Sequence, residues 1–491
     1  METNVKKETL SGMKWTSLEV FSIEGINFVL SLLLARWLMP SDFGTVALTG
    51  VFLSLSRIFA NSGFSNALIR KLDRTEVDYS TVFYFNAVIS FVCYGIIFAI
   101  APWVADFFHT PILCDILRVQ SVIVILQAFS IVQLAKLTAE VRFDVIAKRS
   151  MLTSVASGVV GVIMAKLGFG VWALVFQSII SQATNTIFLW TYCKWKPMWV
   201  FSWESFHSLF SFGSKLLLSN LLHTFYSNLS SIIIGRFFSA KDLGYYSRGT
   251  HFARFPVRTM RSVIQRVTFP ILSKIQDDDE HLIHVYRRYI RMMSMVIFFG
   301  CTLLAALAKP VIIILITDKW APSIIFLQIY SFSIMFDHIS AINLNLLQVK
   351  GRSDLFLKLE IYKKTIAVAI LFSAIPFGIV GICISKVIYA QIATAFNTYY
   401  TGKFFHLGYM AQVKDFSGFL VKSIIACAPA FLLTLTQLPH IVTLLFGLTT
   451  APVLYWLMLR RNEDMMELMS IAISVAKNSP LRKLYAKKIR S

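Results

Sequence analysis

Apolar residues in this chain do not alternate with polar ones. They come in runs, each close to the roughly 20 residues that carry a helix across about 30 Å of hydrocarbon, with short polar gaps between them. The runs lie near Met13 to Leu38, Gly44 to Gly63, Tyr79 to Trp103, Ile116 to Leu137, Ser150 to Leu167 and Val171 to Cys193. They resume near Leu209 to Phe237, Leu243 to Leu272, Tyr289 to Ala308, Pro322 to Leu347, Leu359 to Pro376 and Ile379 to Tyr400. Phe416 to Leu438 and Ile441 to Leu459 complete the series. The pattern predicts an all-α integral membrane protein of about fourteen transmembrane helices. No gap reaches the roughly 50 residues of a small folded domain, so a soluble catalytic domain has no room, which weighs against an enzyme. The first run follows Lys6, Lys7 and Lys14, outruns a signal-peptide core and lacks a cleavage site, so it reads as a retained helix.

Only 15% of the residues are charged, against about a quarter in an ordinary soluble domain. The net charge of +21 would suit a nucleic-acid partner if it were spread over a soluble surface. Instead the basic residues collect in alternate gaps, at Arg70, Lys71 and Arg74, at Arg142, Lys148 and Arg149, at Lys194 and Lys196, and again at Arg287, Arg288, Lys350, Arg352, Lys403 and Lys414. The positive-inside rule then places those gaps and both termini in the cytoplasm, and no nucleic acid is called for. The six cysteines carry no C-x-x-C spacing and read as small buried hydrophobes, with no metal site predicted. Met465 to Ala476 has the pattern of an amphipathic helix, and Pro480 introduces a basic run from Leu481 to Arg490. That tail either lies along the anionic lipids of the inner leaflet or is simply solvated.

The chain also repeats itself. Leu32 to Gly44 reads LLLARWLMPSDFG and Ile232 to Gly244 reads IIIGRFFSAKDLG, so Arg36, Asp42 and Gly44 return as Arg236, Asp242 and Gly244 at a constant offset. Arg142, Asp144 and Lys148 are matched by Arg352, Asp354 and Lys358, and Phe169, Gly170 and Gln182 by Phe377, Gly378 and Gln391. Six spans separate the repeat starts, so the halves enter the membrane in the same direction and a pseudo-twofold axis along its normal relates them. The expected organisation is an N-lobe at 1–200 with helices 1 to 6, a C-lobe at 201–402 with helices 7 to 12, helices 13 and 14 at 403–459, and a basic cytoplasmic tail at 460–491. Parallel repeats of this kind rock about a midplane site, which is transporter architecture. Asp42 and Asp242 have a structural reading as helix caps, and Gly44 and Gly244 as points of close packing.

An ionisable side chain near the bilayer centre costs at least about 2.5–3.5 kcal/mol, so intramembrane charges should face a cavity or a partner. His251, Arg254, Arg258, Arg261 and Gln265 fall on one face of the eighth span at three- and four-residue spacings. Arg57 occupies the equivalent helix of the first half, and Lys386 adds a cation in the twelfth span. These residues are the candidate binding set. A lumen this cationic fits an anionic cargo, and phosphate is the natural match for arginine. Glu24 in the first span and Asp337, beside His338, in the tenth either carry a coupling proton or sodium ion or neutralise an arginine.

The passages MPSDFG (Met39 to Gly44), LGFGVWALV (Leu167 to Val175), FPILSKIQDD (Phe269 to Asp278) and KGRSD (Lys350 to Asp354) resemble those of the oligosaccharide flippases of the polysaccharide transporter family, within the multidrug/oligosaccharidyl-lipid/polysaccharide superfamily. The branch most resembled includes the colanic-acid exporters. The resemblance implies a two-lobed bundle with two trailing helices in a bacterial inner membrane, flipping an undecaprenyl-diphosphate-linked oligosaccharide to the outer leaflet for surface polysaccharide or lipopolysaccharide biosynthesis. It implies no cofactor beyond a coupling cation, and glycan polymerase and export machinery as neighbours. The competing readings are a peptidoglycan-precursor flippase or multidrug exporter of the same superfamily and, from another class, a membrane glycan polymerase or ligase. A drug exporter would be expected to place carboxylates in its cavity. The short outer loops are poor in acid and base residues for glycosyl transfer.

Overall fold

The computed structural model describes residues 23–61, 63–71, 73–350 and 352–477, and every regular element among them is helical. Residues 23–37 form α1. After a break at Leu38 and Met39, α2 (Pro40–Asn61) and α3 (Phe64–Arg70) follow, then α4 (Glu76–Phe107), α5 (Ile112–Gln120) and α6 (Val122–Ala139). Next come α7 (Phe143–Lys166), α8 (Val171–Cys193), α9 (Trp203–Phe237), α10 (Ala240–Lys274), α11 (Asp279–Ala306) and α12 (Ala308–Ile316). The remainder is α13 (Ser323–Ile334), α14 (Asp337–Val349), α15 (Ser353–Ser373), α16 (Gly378–Phe405), α17 (Tyr409–Thr434), α18 (His440–Leu459) and α19 (Glu463–Lys477).

Nine spans among the described residues are long and apolar enough to cross a membrane by length and composition. Each predicted run coincides with a helix or an adjoining pair. The second run lies along α2 and ends just before α3, whereas the fourth is divided between α5 and α6 and the tenth between α13 and α14. The apolar stretch after Ala308, too short to span, folds into α12 and leads into a 3-10 turn that buries Trp320 completely. The amphipathic tail segment is helical and begins at Glu463, because the Asn462 side-chain oxygen accepts the Met465 amide at 3.3 Å and caps it. The basic run from Leu481 to Arg490 lies outside the described residues, as does the start of the first predicted span.

The chain divides into two compact units, Met1–Ser247 and Arg248–Ser491. In the first, α4 starts from a capping box: Thr75 accepts the Asp78 amide at 3.2 Å, while Asp78 accepts the Thr75 amide at 2.8 Å and the Lys71 ammonium at 2.8 Å. Phe64, Tyr79, Phe83 and Trp195 pack a core beside that cap, and the Trp195 indole donates to Glu76 at 2.5 Å.

The two repeated turns also lie in this unit. Asp42 accepts the Met39 amide at 2.8 Å, and Asp242 accepts the Ser239 amide at 3.3 Å, the same cap at the same repeat position. A Cβ on Gly44 would stand 1.6 Å from the Ala240 carbonyl oxygen, and one on Gly244 would stand 1.8 Å from that of Pro40. Position 44 touches 240 and position 244 touches 40.

In the second unit, Asn343 on α14 is the hub of a buried polar network. Its side-chain oxygen accepts from Tyr286 at 2.7 Å, Thr401 at 2.7 Å and Gln412 at 3.1 Å, and its amide donates back to Gln412 at 2.9 Å. This ties α11, α14, α16 and α17 at one level. Farther along α11, Tyr455 of α18 stacks on Phe299 at 4.5 Å and donates to the Met295 carbonyl at 2.8 Å. Arg291 grips Asp464 through two nitrogens at 2.9 and 3.2 Å, and Arg288 pairs with Glu467, so α19 is clasped to α11.

Candidate functional site

In the second unit the candidate charges gather around one tyrosine. Arg254 on α10 donates through Nε to the Tyr330 hydroxyl at 2.9 Å, and its guanidinium carbon lies 5.1 Å from the centre of the Tyr330 ring. The hydrogen bond and the cation–π contact together fix the side chain from two directions. Tyr330 is buried on α13, whereas Arg254 remains exposed. The guanidinium is thus a positioned cation.

Asp337 opens α14 and lies within electrostatic reach of Tyr330, as Arg254 does. Lys386, half-buried on α16, lies within reach of both Arg254 and Lys364 of α15. Its backbone is pinned to α13 by Ser333, which donates to the Lys386 carbonyl at 3.1 Å. His251 stands one turn before Arg254 on α10 and is also exposed, its ring edge-on to Phe252 at 6.1 Å. Among the described residues, Arg254, Lys386 and Lys364 outnumber Asp337 in this neighbourhood. Burying such charges without an anion would be costly, so the cluster is suited to a phosphate or diphosphate.

The first unit carries a sparser version. Arg57 on α2 is exposed and forms no ion pair among the described residues. One turn before it, Ser54 accepts from Asn228 of α9 at 3.2 Å, so this side of α2 is polar. Glu24 is half-buried on α1.

Of the predicted set, the structure brings Arg254, Lys386 and Asp337 into one neighbourhood, with His251 beside them, and places Arg57 and Glu24 in the other unit. The side chains of Arg258, Arg261 and Gln265 lie outside the described residues, though their backbone continues α10. Sequence reasoning missed Tyr330 and Lys364. Tyr330 sits in the run SIIFLQIYSFSI, where a tyrosine reads as core. Lys364 could have been found as an intramembrane cation, because Lys363 and Lys364 interrupt the eleventh span. Among the described residues, no group of three or more histidine, cysteine, aspartate or glutamate side chains could hold a metal ion.

The profile of the family described as polysaccharide biosynthesis protein matches residues 33–325. The chain is 24% identical over 354 residues to the teichuronic acid biosynthesis protein TuaB of Bacillus subtilis (strain 168), covering 72% of this chain and 73% of that one. It is 26% identical over 325 residues to the succinoglycan biosynthesis transport protein ExoT of Rhizobium meliloti (strain 1021), covering 65% of each. Among solved structures, the lipid II flippase MurJ in an inward closed conformation superposes with a TM-score of 0.70 at 13% identity, over 91% of this chain and 99% of that one.

Proposed function

Because this chain belongs to the polysaccharide biosynthesis protein family and is a multi-pass membrane protein with a transporter's fold, we propose that it flips an undecaprenyl-diphosphate-linked oligosaccharide from the cytoplasmic to the outer leaflet of a bacterial inner membrane. The observation that carries the reading is Arg254, held by Tyr330 in a cluster where Lys386 and Lys364 outweigh Asp337. Arg254 would take the diphosphate through charge-assisted bonds, the flanking cations would lower the cost of moving its charge through hydrocarbon, and the polyprenyl tail would stay in lipid. A cargo that is itself cationic would meet repulsion at the same cluster. Asp337 serves as the counter-charge that the cations keep when no cargo is bound, or carries the coupling ion.

Orientation follows from the basic gaps: both termini face the cytoplasm. The cargo is supplied by glycan-assembling enzymes on that side and consumed by polymerase and export machinery on the other. The test is quantification by mass spectrometry of undecaprenyl-diphosphate-linked oligosaccharides in cells with and without the gene, with each leaflet distinguished by accessibility to an added glycosidase. Complete units trapped on the cytoplasmic leaflet support the proposal. Unchanged levels, or accumulation on the outer leaflet, refute it.

A further inference from the structure

A second basic site lies in the same unit, away from the Arg254 cluster. Where α17 begins and α18 gives way to α19, Arg291, Lys414, Lys422 and Arg461 line a cavity of about 480 Å³. That size lies within the roughly 300–1,000 Å³ typical of small-molecule sites. Two of the acids around it are already engaged: Asp415 is held by Arg287 at 2.9 and 2.5 Å, and Asp464 by Arg291 at 2.9 and 3.2 Å. Lys414, Lys422 and Arg461 make no hydrogen bond or ion pair among the described residues, and only Glu463 remains on the wall to oppose them. The cavity is therefore cationic in its resting state.

Its construction is specific. Lys414, Gly418 and Lys422 are spaced four apart and share one face of α17. Gly418 is the opening between the two lysines, since a Cβ there would meet nothing within 4 Å. Lys422 lies about 12 Å farther along α17 than Lys414, toward the apolar middle of the span, and it is half-buried. A lysine at that depth with no carboxylate partner is expensive unless it snorkels to an anion. The surface beyond the cavity is hydrocarbon-like: Val421 and Ile425 on α17, and Leu457 and Met458 on α18, are exposed. A ligand that fits all of this has a phosphate at one end and an apolar body at the other.

We propose that this cavity binds the phosphate headgroup of an anionic phospholipid, with its acyl chains along the exposed apolar faces of α17 and α18. The lipid completes the charge balance around Lys422 and bridges α17 to the α18–α19 corner, next to the Arg291–Asp464 clasp. Basic pockets between helices at the cytoplasmic boundary are the usual seats of such headgroups, and the inner leaflet supplies them.

The test is native mass spectrometry of the full chain, purified in mild detergent, delipidated, and titrated with phosphatidylglycerol or phosphatidylcholine of identical acyl chains. Binding is read without transport, so failure of the flippase reading leaves this result standing, and the reverse. Phosphatidylglycerol is expected to bind about tenfold more tightly than phosphatidylcholine, the worth of about one charge-assisted bond. Lys422→Gln combined with Arg461→Gln removes that preference, and so does Gly418→Met, which fills the cavity and leaves every charge in place. Equal binding of the two lipids by the unaltered chain overturns the proposal, as does a preference that survives either variant in protein with an unchanged melting temperature. Displacement of phosphatidylglycerol by millimolar inorganic phosphate overturns the phospholipid assignment in favour of a soluble anion.

Discussion

The reciprocal contact between the two repeated turns yields the sharpest prediction. Gly44→Ala places a methyl carbon 1.6 Å from the Ala240 carbonyl oxygen, and Gly244→Ala places one 1.8 Å from that of Pro40. Carbon and carbonyl oxygen approach no closer than about 3.3 Å even in favourable contacts, so the backbones must part by roughly 1.5 Å. Neither obstacle is a side chain that could rotate aside. Overpacking of this kind costs about 1–3 kcal/mol, and a rigid backbone obstacle puts these sites in the upper part of that range. Alanine in place of glycine in a helix returns about 1 kcal/mol, leaving a net loss of about 1–2 kcal/mol for each variant. Gly50→Ala on the same helix is the control, because a Cβ there meets nothing within 4 Å; it is expected to be neutral or slightly stabilising. One kcal/mol moves the midpoint of a domain of this size by roughly 2–4 °C, so thermal melting of the purified chain should fall by roughly 2–8 °C. The double variant should cost less than the sum, since separation made for the first methyl accommodates the second. If Gly44→Ala and Gly244→Ala melt together with Gly50→Ala, or if the double variant costs the full sum, the shared crossing is not packed as described.

Arg254→Ala is expected to lower lipid-linked oligosaccharide export at least tenfold with membrane insertion intact, whereas Tyr330→Phe, which keeps the ring under the guanidinium and loses only the hydroxyl acceptor, should lower it by a few-fold. Equal losses, read as leaflet-resolved glycolipid levels, would contradict the division of labour between bond and ring. Asn343→Leu strands the hydroxyl donors of Tyr286 and Thr401 in a buried site, at about 1–3 kcal/mol for each unsatisfied group, while the Gln412 amide keeps its bond to the Leu407 carbonyl at 3.0 Å. The purified variant should melt well below Ser340→Ala, whose hydroxyl makes one long contact of 3.4 Å. Asp464→Asn weakens the two-nitrogen grip of Arg291 and should speed proteolytic removal of α19, followed as a shift in chain mass under limited trypsin. Unchanged cleavage would mean that packing, not the ion pair, retains the helix.

The helices were legible because hydrocarbon demands length and apolarity at once, a signal carried by every residue of a span. Their interruptions were not. Ser121 divides α5 from α6 with no glycine or proline nearby to announce it, and the two residues between Ile334 and Asp337 divide α13 from α14 without a breaker in the sequence. The candidate site was half legible. Charged residues such as Arg254, Lys386 and Asp337 stand out against an apolar background because the membrane makes them expensive. Tyr330 is as important to the geometry as Arg254, yet a tyrosine among isoleucines and phenylalanines costs little and so carries no signal. Repeat logic succeeded at Asp42 and Asp242, where the expected caps are present in both copies.

What the repeats share and what they do not share separate scaffold from cargo handling. Caps and close-packed glycines recur at matching positions. Among the described residues the candidate cargo-binding charges differ between the copies: α2 offers Arg57, while α10 offers His251 and Arg254, the latter within reach of Lys386 and Tyr330. The cargo proposed above carries its diphosphate at one end and its sugars at the other, and makes unlike demands on the charges that handle it. Recurring turns combined with unlike candidate charges are therefore what an amphiphilic anionic cargo would require.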